Sequence, residues 1–464
     1  MLWRGLRVLV PLGAAVVEGW PAALGAVLFQ ETGYWLARKA STGWARRIFL
    51  GAWSIRVAVA LPTHYFFKLK DGNGSVFQDA YTNDLVAEWL VRIGKGEGIA
   101  IFPGHQHVLD SSYTYLLAAM YAVFGHAPLL PKLLNSALGA LCAVLVYEIA
   151  ARAFNQRVAI LASIGAALMP TLILWSVITI KETLVLTLAL LGLWAVQRIM
   201  EGVAPHKTAD FVTLLIAAMV LSLDLRSTTS AILLLLLVVV LARKLQPRPR
   251  VWQLAFAGVV VVGVLGSTVF VARGQISGRP PSGVVEDALL QIRHRRAQEA
   301  ANARTQIRPE TEVISPEGKT ELPEAEAVSD ATPFSFVGDV LNPLGFALLA
   351  PAPWQARSLT ELAASAEMLI WDVLLAGAFF AWRVPPRQRL FVACLVAYGL
   401  ANWLVLAVSE GNLGNLLRHR QTLAPALLIL GTAGLDWLWG HVAPERVHAR
   451  RPVLHLRPGA SAEP

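Results

Sequence analysis

The feature that most constrains this chain is a series of long apolar runs, each of roughly 20 residues and nearly free of charge. A bilayer core about 30 Å thick is crossed by a helix of this length. About ten runs lie near 48–67, 128–150, 157–178, 182–200, 210–225, 228–245, 251–272, 366–383, 389–409 and 422–441. A further run, 8–29, is interrupted by Glu18, Gly19 and Pro21, so it is either another span or an interfacial helix.

The composition agrees with a membrane protein. Charged residues make up 15% of the chain, hydrophobic residues 55%, and the mean hydropathy is +0.54. A soluble domain carries about 25% charged residues, so an ordinary soluble enzyme and a disordered chain are both excluded. The only cysteines, Cys142 and Cys394, lie inside apolar runs and form neither a disulfide framework nor a metal site. We predict an all-α polytopic membrane protein with about 10–11 transmembrane helices.

The positions of the basic residues give the net charge of +9 its meaning. Lys and Arg are concentrated in alternate short loops and at both termini, as is typical of the cytoplasmic side of a membrane protein. We therefore predict a multi-pass protein of the inner (cytoplasmic) membrane with both termini in the cytoplasm and no nucleic-acid partner. Two long segments, 68–127 and 273–365, fall on the outer face, where we expect the active site.

These boundaries divide the chain into five parts. We predict an N-terminal interfacial or extra membrane helix, a transmembrane module that includes the first outer loop, a long outer loop with a helix and a flexible segment, C-terminal membrane helices, and a basic cytoplasmic tail. Their respective ranges are 1–47, 48–272, 273–365, 366–441 and 442–464.

Charged residues near a bilayer core are costly, so each is a candidate functional residue. Asp79 lies just outside the first firm span and is either a general base or a solvated loop or helix-capping residue. Asp84 has the same two interpretations. Lys181, next to Glu182 at the outer end of a span, either holds a phosphate or extends its ammonium group to the interface.

Two further outer segments carry candidate cations. Asp224 and Arg226 share a tight turn, where they form a local ion pair or present Arg226 to an anion. Arg418, His419 and Arg420 lie at the mouth of the last span, where two arginines suit phosphate recognition or interfacial anchoring.

Other polar residues give weaker signals. Arg56 lies within a span and must face protein or water rather than lipid. His105 and His107 are only a weak metal signal, because no carboxylate adjoins them. Neither face carries a phosphate-binding glycine loop.

Parts of the chain resemble a known group of membrane enzymes. Asp79 precedes Asn83 and Ala87 at the spacing of the family's first-loop Asp, its following Tyr and a helical Ala. The chain is similar to membrane glycosyltransferases of the C-type (GT-C) fold, which include protein O-mannosyltransferases and the aminoarabinose transferase of lipid A. The stretches that carry the likeness are 77–90, 111–141, 152–163, 169–176 and 181–182, and it covers 48–245 well and the C-terminal half in outline.

The resemblance implies a GT-C-like helix bundle that transfers a sugar from a polyprenyl-phosphate carrier to a glycan, lipid or protein on the outer face, with inversion. Asp79 would accept the proton of the acceptor hydroxyl. The departing phosphate would be stabilised by Lys181, Arg226, Arg418 and Arg420. Supporting roles would fall to Arg56, Asp84, Glu182, Asp224 and His419.

The chain departs from the family at two points. Asn83 stands where relatives often have Tyr, and no second acidic residue adjoins Asp79, as it does in several of them. The sequence thus gives no support to a metal-bridged carboxylate pair, and we predict no cofactor.

Two alternative functions stay open. A polysaccharide polymerase or ligase that joins lipid-linked repeat units would also combine a long outer loop with an Arg-rich outer turn. A non-enzymatic flippase or other transporter of lipid-linked sugars would have internal repeats or helices broken at mid-depth, and the sequence gives neither clearly. The expected partners are a polyprenyl-phosphate-linked sugar, its acceptor and membrane lipid.

Overall fold

A computed structural model of the protein describes residues 2–39, 43–72, 74–97, 111–202, 204–245, 344–355, 359–409 and 413–442. These residues are mainly helical, and no β-strand occurs within the described ranges. The helices are α1 (Leu2–Glu18), α2 (Trp20–Lys39), α3 (Gly43–Asp71), α4 (Gln78–Gly94), α5 (Ser112–Phe124), α6 (Leu129–Ala153), α7 (Gln156–Leu168), α8 (Pro170–Ser176), α9 (Glu182–Met200), α10 (Pro205–Leu225), α11 (Ser227–Leu245), α12 (Leu359–Phe380), α13 (Arg389–Ser409), α14 (Leu413–His419) and α15 (Ala424–Val442).

The prediction of an all-α chain is confirmed across the described residues, and the helices are compatible with a polytopic membrane protein. By length and composition, five described helices can cross a membrane, or up to seven if each of two bent helix pairs is one span. This number is smaller than the ten or eleven spans predicted. One reason is that the predicted span 251–272 lies outside the described residues. Another is that the helix over 48–67 contains Arg56 and His64, which lower its hydropathy.

The N-terminal run is split into two helices. α1 ends at Glu18 and α2 begins at Trp20, with Gly19 between them at a φ of 81° that glycine adopts readily. The two helices run antiparallel: the rings of Trp3 and Tyr34 stack with their centroids 4.0 Å apart. This hairpin packs against α3 and α6, and whether it crosses a membrane stays a prediction.

α6 lies at the centre of the bundle and packs against α2, α3, α7 and α9. On the C-terminal side, α12 and α15 approach backbone to backbone, because Gly377 faces Gly431 and Gly434 where any Cβ would overlap main-chain atoms. Small residues at such a crossing allow the close packing that is common between membrane helices.

The first bent helix pair is α7 and α8, which meet at an angle of 55°. Pro170 has no N–H, so the carbonyl of Ala166 loses its helical donor. The buried Arg56 guanidinium replaces that donor, at 3.1 Å from Ala166 O and 3.2 Å from Ala167 O. Arg56 therefore faces protein, as its position within a predicted span required.

On the C-terminal side of this break, a carboxylate of α12 binds the first residues of α8. Glu367 accepts hydrogen bonds from the backbone N–H of Thr171 at 2.7 Å and from its hydroxyl at 2.6 Å. Two carbonyls and one N–H that the break exposes thus have partners within the protein.

The second bent pair is α14 and α15, joined by a 3₁₀ turn at Arg420–Thr422 and bent by 65°. It lies just after the segment that carries Arg418 and His419. Because of this turn, Arg418 and Arg420 contact different helices of the bundle.

Charged side chains lie at both ends of α6 and α9. At one end, Arg152 of α6 contacts Glu148 at 3.3 Å and Glu201, just after α9, at 3.5 Å. At the other end, Glu182 begins α9. Glu182 and Arg198, which contacts Glu201, are sixteen positions apart on this helix, or roughly 24 Å at 1.5 Å per residue.

Candidate functional site

The candidate site begins with Asp79 in the first turn of α4. A carboxylate at this position interacts favourably with the positive end of the helix dipole. The Asp79 side chain is 65% exposed, and its Oδ2 lies 2.6 Å from Nη1 of Arg418, which donates a hydrogen bond to it. The chain brings these two residues together across 339 positions.

Arg418 connects Asp79 to a second carboxylate. Its Nε lies 2.6 Å from Oε1 of Glu182, whose side chain is only 1% exposed. Arg418 itself is 16% exposed. A single guanidinium therefore bridges one carboxylate at the surface and one in the interior.

Two more side chains approach Glu182. Arg226, which follows α10, approaches Oε1 with its Nη2 at 3.8 Å, and His419 approaches the same atom with its Nε2 at 3.9 Å. Glu182 is thus the anion around which side chains from two other segments of the chain gather.

Lys181 lies beside this group. Its ammonium group interacts electrostatically with Glu182, Arg226, Arg418 and Asp224 and forms no hydrogen bond or close ion pair with the residues that the structure describes. Burial lowers the pKa of its ammonium group. Lys181 is therefore the cation of the cluster whose donors are available for an incoming anion.

The segment that carries Lys181 and Glu182 is held by a side chain that sequence analysis did not select. Asn135 of α6 donates hydrogen bonds to the carbonyls of Ile178, at 2.7 Å, and Ile180, at 2.9 Å. Asn83 of α4 donates to the carbonyl of Thr179 at 3.3 Å. Asn135 could have been found from its position, because a buried amide within an apolar run needs partners.

Asp84 and Asp224 occupy neighbouring positions with other partners. Asp84 accepts a hydrogen bond from the hydroxyl of Tyr121 and lies 3.3 Å from Nε2 of His126. This contact raises the pKa of His126. Asp224 accepts a hydrogen bond from the backbone N–H of Ser112 at 2.6 Å, so both carboxylates organise the loops around the cluster.

Arg420 does not lie in the cluster. The guanidinium is buried, with Nη1 at 2.6 Å from the sulfur of Met368 and its carbon centre 5.8 Å from the Trp371 ring. Because the 3₁₀ turn begins at Arg420, its side chain is directed towards α12 while Arg418 is directed towards α9.

The part of the chain that the structure describes contains no group of three His, Cys, Asp or Glu side chains placed to hold a metal ion. His105 and His107 lie outside the described residues. Between Asp79 and Glu182 stands the Arg418 guanidinium, which supplies the positive charge there.

Searches of protein-family models and of curated proteins found no match to this chain. The resemblance to C-type glycosyltransferases therefore stays a prediction, and the site is interpreted from its own chemistry.

Proposed function

We propose that the chain is a membrane glycosyltransferase that moves a sugar from a polyprenyl-phosphate-linked donor to a hydroxyl of a glycan, lipid or protein acceptor. The observation that supports this proposal most is the convergence of Asp79, Lys181, Glu182, Arg226 and Arg418 from separate segments of the chain at one end of the helices. An exposed carboxylate beside several cations matches the needs of a reaction that takes a proton and releases a phosphate.

The proposed step is a single displacement at the anomeric carbon. The acceptor oxygen forms a bond to that carbon while the bond from the carbon to the phosphate oxygen breaks. The electron pair of the broken bond stays on the phosphate, and the acceptor's proton moves to the Asp79 carboxylate. Because the nucleophile enters opposite the leaving group, the anomeric configuration inverts.

The cations would stabilise the charge that develops on the phosphate. Lys181 offers an ammonium group, and Arg418 and Arg226 offer planar guanidinium donors nearby. Fixed donors in a partly desolvated site stabilise such charge more than water does. Supply of the donor through the membrane would place the reaction on the outer face of the cytoplasmic membrane, in agreement with the predicted orientation.

The proposal is tested with purified wild-type protein in lipid nanodiscs and a panel of polyprenyl-phosphate sugars and polyprenyl-diphosphate oligosaccharides. We expect transfer from a polyprenyl-phosphate sugar, with a product of inverted anomeric configuration. Transfer from diphosphate oligosaccharides alone would contradict the proposal and identify a polymerase or ligase.

A transporter of lipid-linked sugars is a second candidate, which the two bent helix pairs favour. In broken-helix transporters the exposed backbone groups bind the cargo or its coupling ion. Here, at the first break, Arg56 already binds two backbone carbonyls and Glu367 binds the backbone N–H of Thr171. Carrier-dependent movement of labelled lipid across proteoliposomes, without sugar transfer to any acceptor, would select the transporter.

A further inference from the structure

The two carboxylates that share Arg418 differ in their surroundings. Asp79 is mostly in contact with solvent, whereas Glu182 is enclosed by the protein. An exposed ion pair contributes little to stability, because water and dissolved ions compete for both partners. A buried pair is costly to break, because a charge is left without a partner. Arg418 therefore makes one contact that is costly to break, from its Nε to Glu182, and one that another anion can replace, from its Nη1 to Asp79. We call these the fixed arm and the replaceable arm of Arg418.

The replaceable arm engages one oxygen of the carboxylate that the proposed reaction needs. Oδ2 of Asp79 accepts a hydrogen bond from Arg418 at 2.6 Å, so a lone pair that would take the acceptor's proton is engaged. A phosphate presents several oxygens to a guanidinium and binds it through two parallel hydrogen bonds. Lys181, close by, adds a second cation for the same phosphate.

We infer that the phosphate of the donor replaces Asp79 on the Nη1 arm of Arg418 and that this exchange releases the Asp79 carboxylate to act as the base. The inference rests on the proposed function, which supplies the phosphate. It couples donor binding to the base, because Oδ2 of Asp79 leaves Arg418 when the donor phosphate takes its place. Glu182 keeps Arg418 in position throughout the exchange.

The inference predicts that removing the Asp79 charge strengthens phosphate binding. Asp79→Asn removes the group that competes for Arg418, so the variant should bind a polyprenyl monophosphate about 2- to 5-fold more tightly than wild type. The matched control is Glu97→Gln. Glu97 is an exposed carboxylate 2.6 Å from Arg92, which lies in the last turn of α4. Its substitution by Gln therefore removes the same charge as Asp79→Asn, but away from the site. Its affinity should equal that of wild type.

A double-mutant cycle separates exchange on Arg418 from a general effect of charge. In an Arg418→Gln background, Asp79→Asn should no longer change the affinity, because the shared partner is gone. Where Arg418→Gln does not fold, Arg418→Lys serves instead: it keeps a cation beside Glu182 but lacks the second arm. If Asp79→Asn still increased the affinity for phosphate in these backgrounds, the inference would be overturned.

The probes are a polyprenyl monophosphate and inorganic phosphate, each titrated into protein in nanodiscs. Because exchange occurs at the phosphate group, both probes should give the same ratio between Asp79→Asn and wild type. If only the lipid probe bound more tightly to Asp79→Asn than to wild type, the exchange would be overturned and the proposed function would stand. The same holds if Asp79→Asn bound phosphate with unchanged or weaker affinity. Absence of phosphate binding by every variant would overturn both.

Discussion

At the scale of single residues, Glu182 is the group on which the arrangement of the cluster depends. Glu182→Gln would leave Arg418 and Arg226 without their common anion in a largely buried place. We expect a loss of about 3 kcal/mol of stability, the usual cost of removing one partner of a buried ion pair.

Chemical denaturation in detergent measures this loss, with Asp79→Asn as the comparison. Asp79 is the exposed partner of the same arginine, so its substitution should change stability by less than about 0.5 kcal/mol. Equal losses for the two variants would contradict the division of Arg418 into a buried and an exposed contact.

A second residue-scale prediction concerns pH. The hydrogen bond to Asp84 raises the pKa of His126, and Glu88 lies 3.9 Å from its other ring nitrogen. A histidine whose pKa is raised in the folded state stabilises the protein fully at pH values below the ordinary histidine pKa. This stabilisation is lost as the pH rises through the pKa of the folded state. The apparent melting temperature of wild type should therefore fall between about pH 6 and pH 8 more than that of His126→Gln. Parallel curves for the two proteins would refute this contribution.

Residue-scale reasoning from the sequence selected most of the cluster but not its pairing. Asp79, Lys181, Glu182, Arg226 and Arg418 were candidates because charge is costly beside a bilayer. Their contacts join positions far apart in the chain, so no local pattern could predict which cation meets which carboxylate.

The separation of two neighbouring arginines was also beyond sequence reasoning. Arg418 and Arg420 are two positions apart and carry the same chemistry. They face different helices because α14 ends at His419 and a 3₁₀ turn follows, a change of path that an Arg-His-Arg pattern does not reveal.

At the scale of elements, the segment before α4 determines where Asp79 lies. Gly74 has a φ of 69°, and a Cβ there would overlap the imidazole of His64. Lys132 of α6 donates hydrogen bonds to the Gly74 carbonyl and, at 2.7 Å, to Nδ1 of His64. α3 and α6 thus fix the residues that lead into the first turn of α4.

Gly74→Ala should displace this segment and with it Asp79. We expect about a 10-fold or greater fall in the rate of sugar transfer, because small misplacements of a reacting group are costly. Gly72→Ala is the control: Gly72 has a similar φ of 76° but open space around it, so it adds the same backbone strain without the overlap. A similar loss of rate for both variants would show that strain alone is responsible.

At the scale of the whole molecule, the apolar runs predicted the helices, whereas the assignment of their ends to the cytoplasmic and outer faces stays a prediction. α6 and α9 carry the Arg152–Glu201 contacts at one end and Asn135 and Glu182 at the other. The sequence could not reveal that α7 breaks at Pro170, since a proline can bend a helix or end it, and the partner that closes the break comes from α12.

The orientation is tested by cysteine labelling, for which the chain is well suited because Cys142 and Cys394 are both buried. Glu97→Cys should react with a membrane-impermeant maleimide in intact cells. Arg389→Cys, at the start of α13, should react only after permeabilisation. The reverse pattern would place the cluster on the cytoplasmic face and contradict the proposed supply of donor.

The most direct test of the central claim is the rate of sugar transfer from a polyprenyl-phosphate sugar by Asp79→Asn, measured beside wild type and Glu97→Gln. General-base catalysis contributes about 100-fold or more to a rate, so Asp79→Asn should lose about that factor while it still binds the donor and Glu97→Gln keeps full activity. Transfer by Asp79→Asn at the wild-type rate would contradict the assignment of Asp79 as the base and, with it, the proposed site.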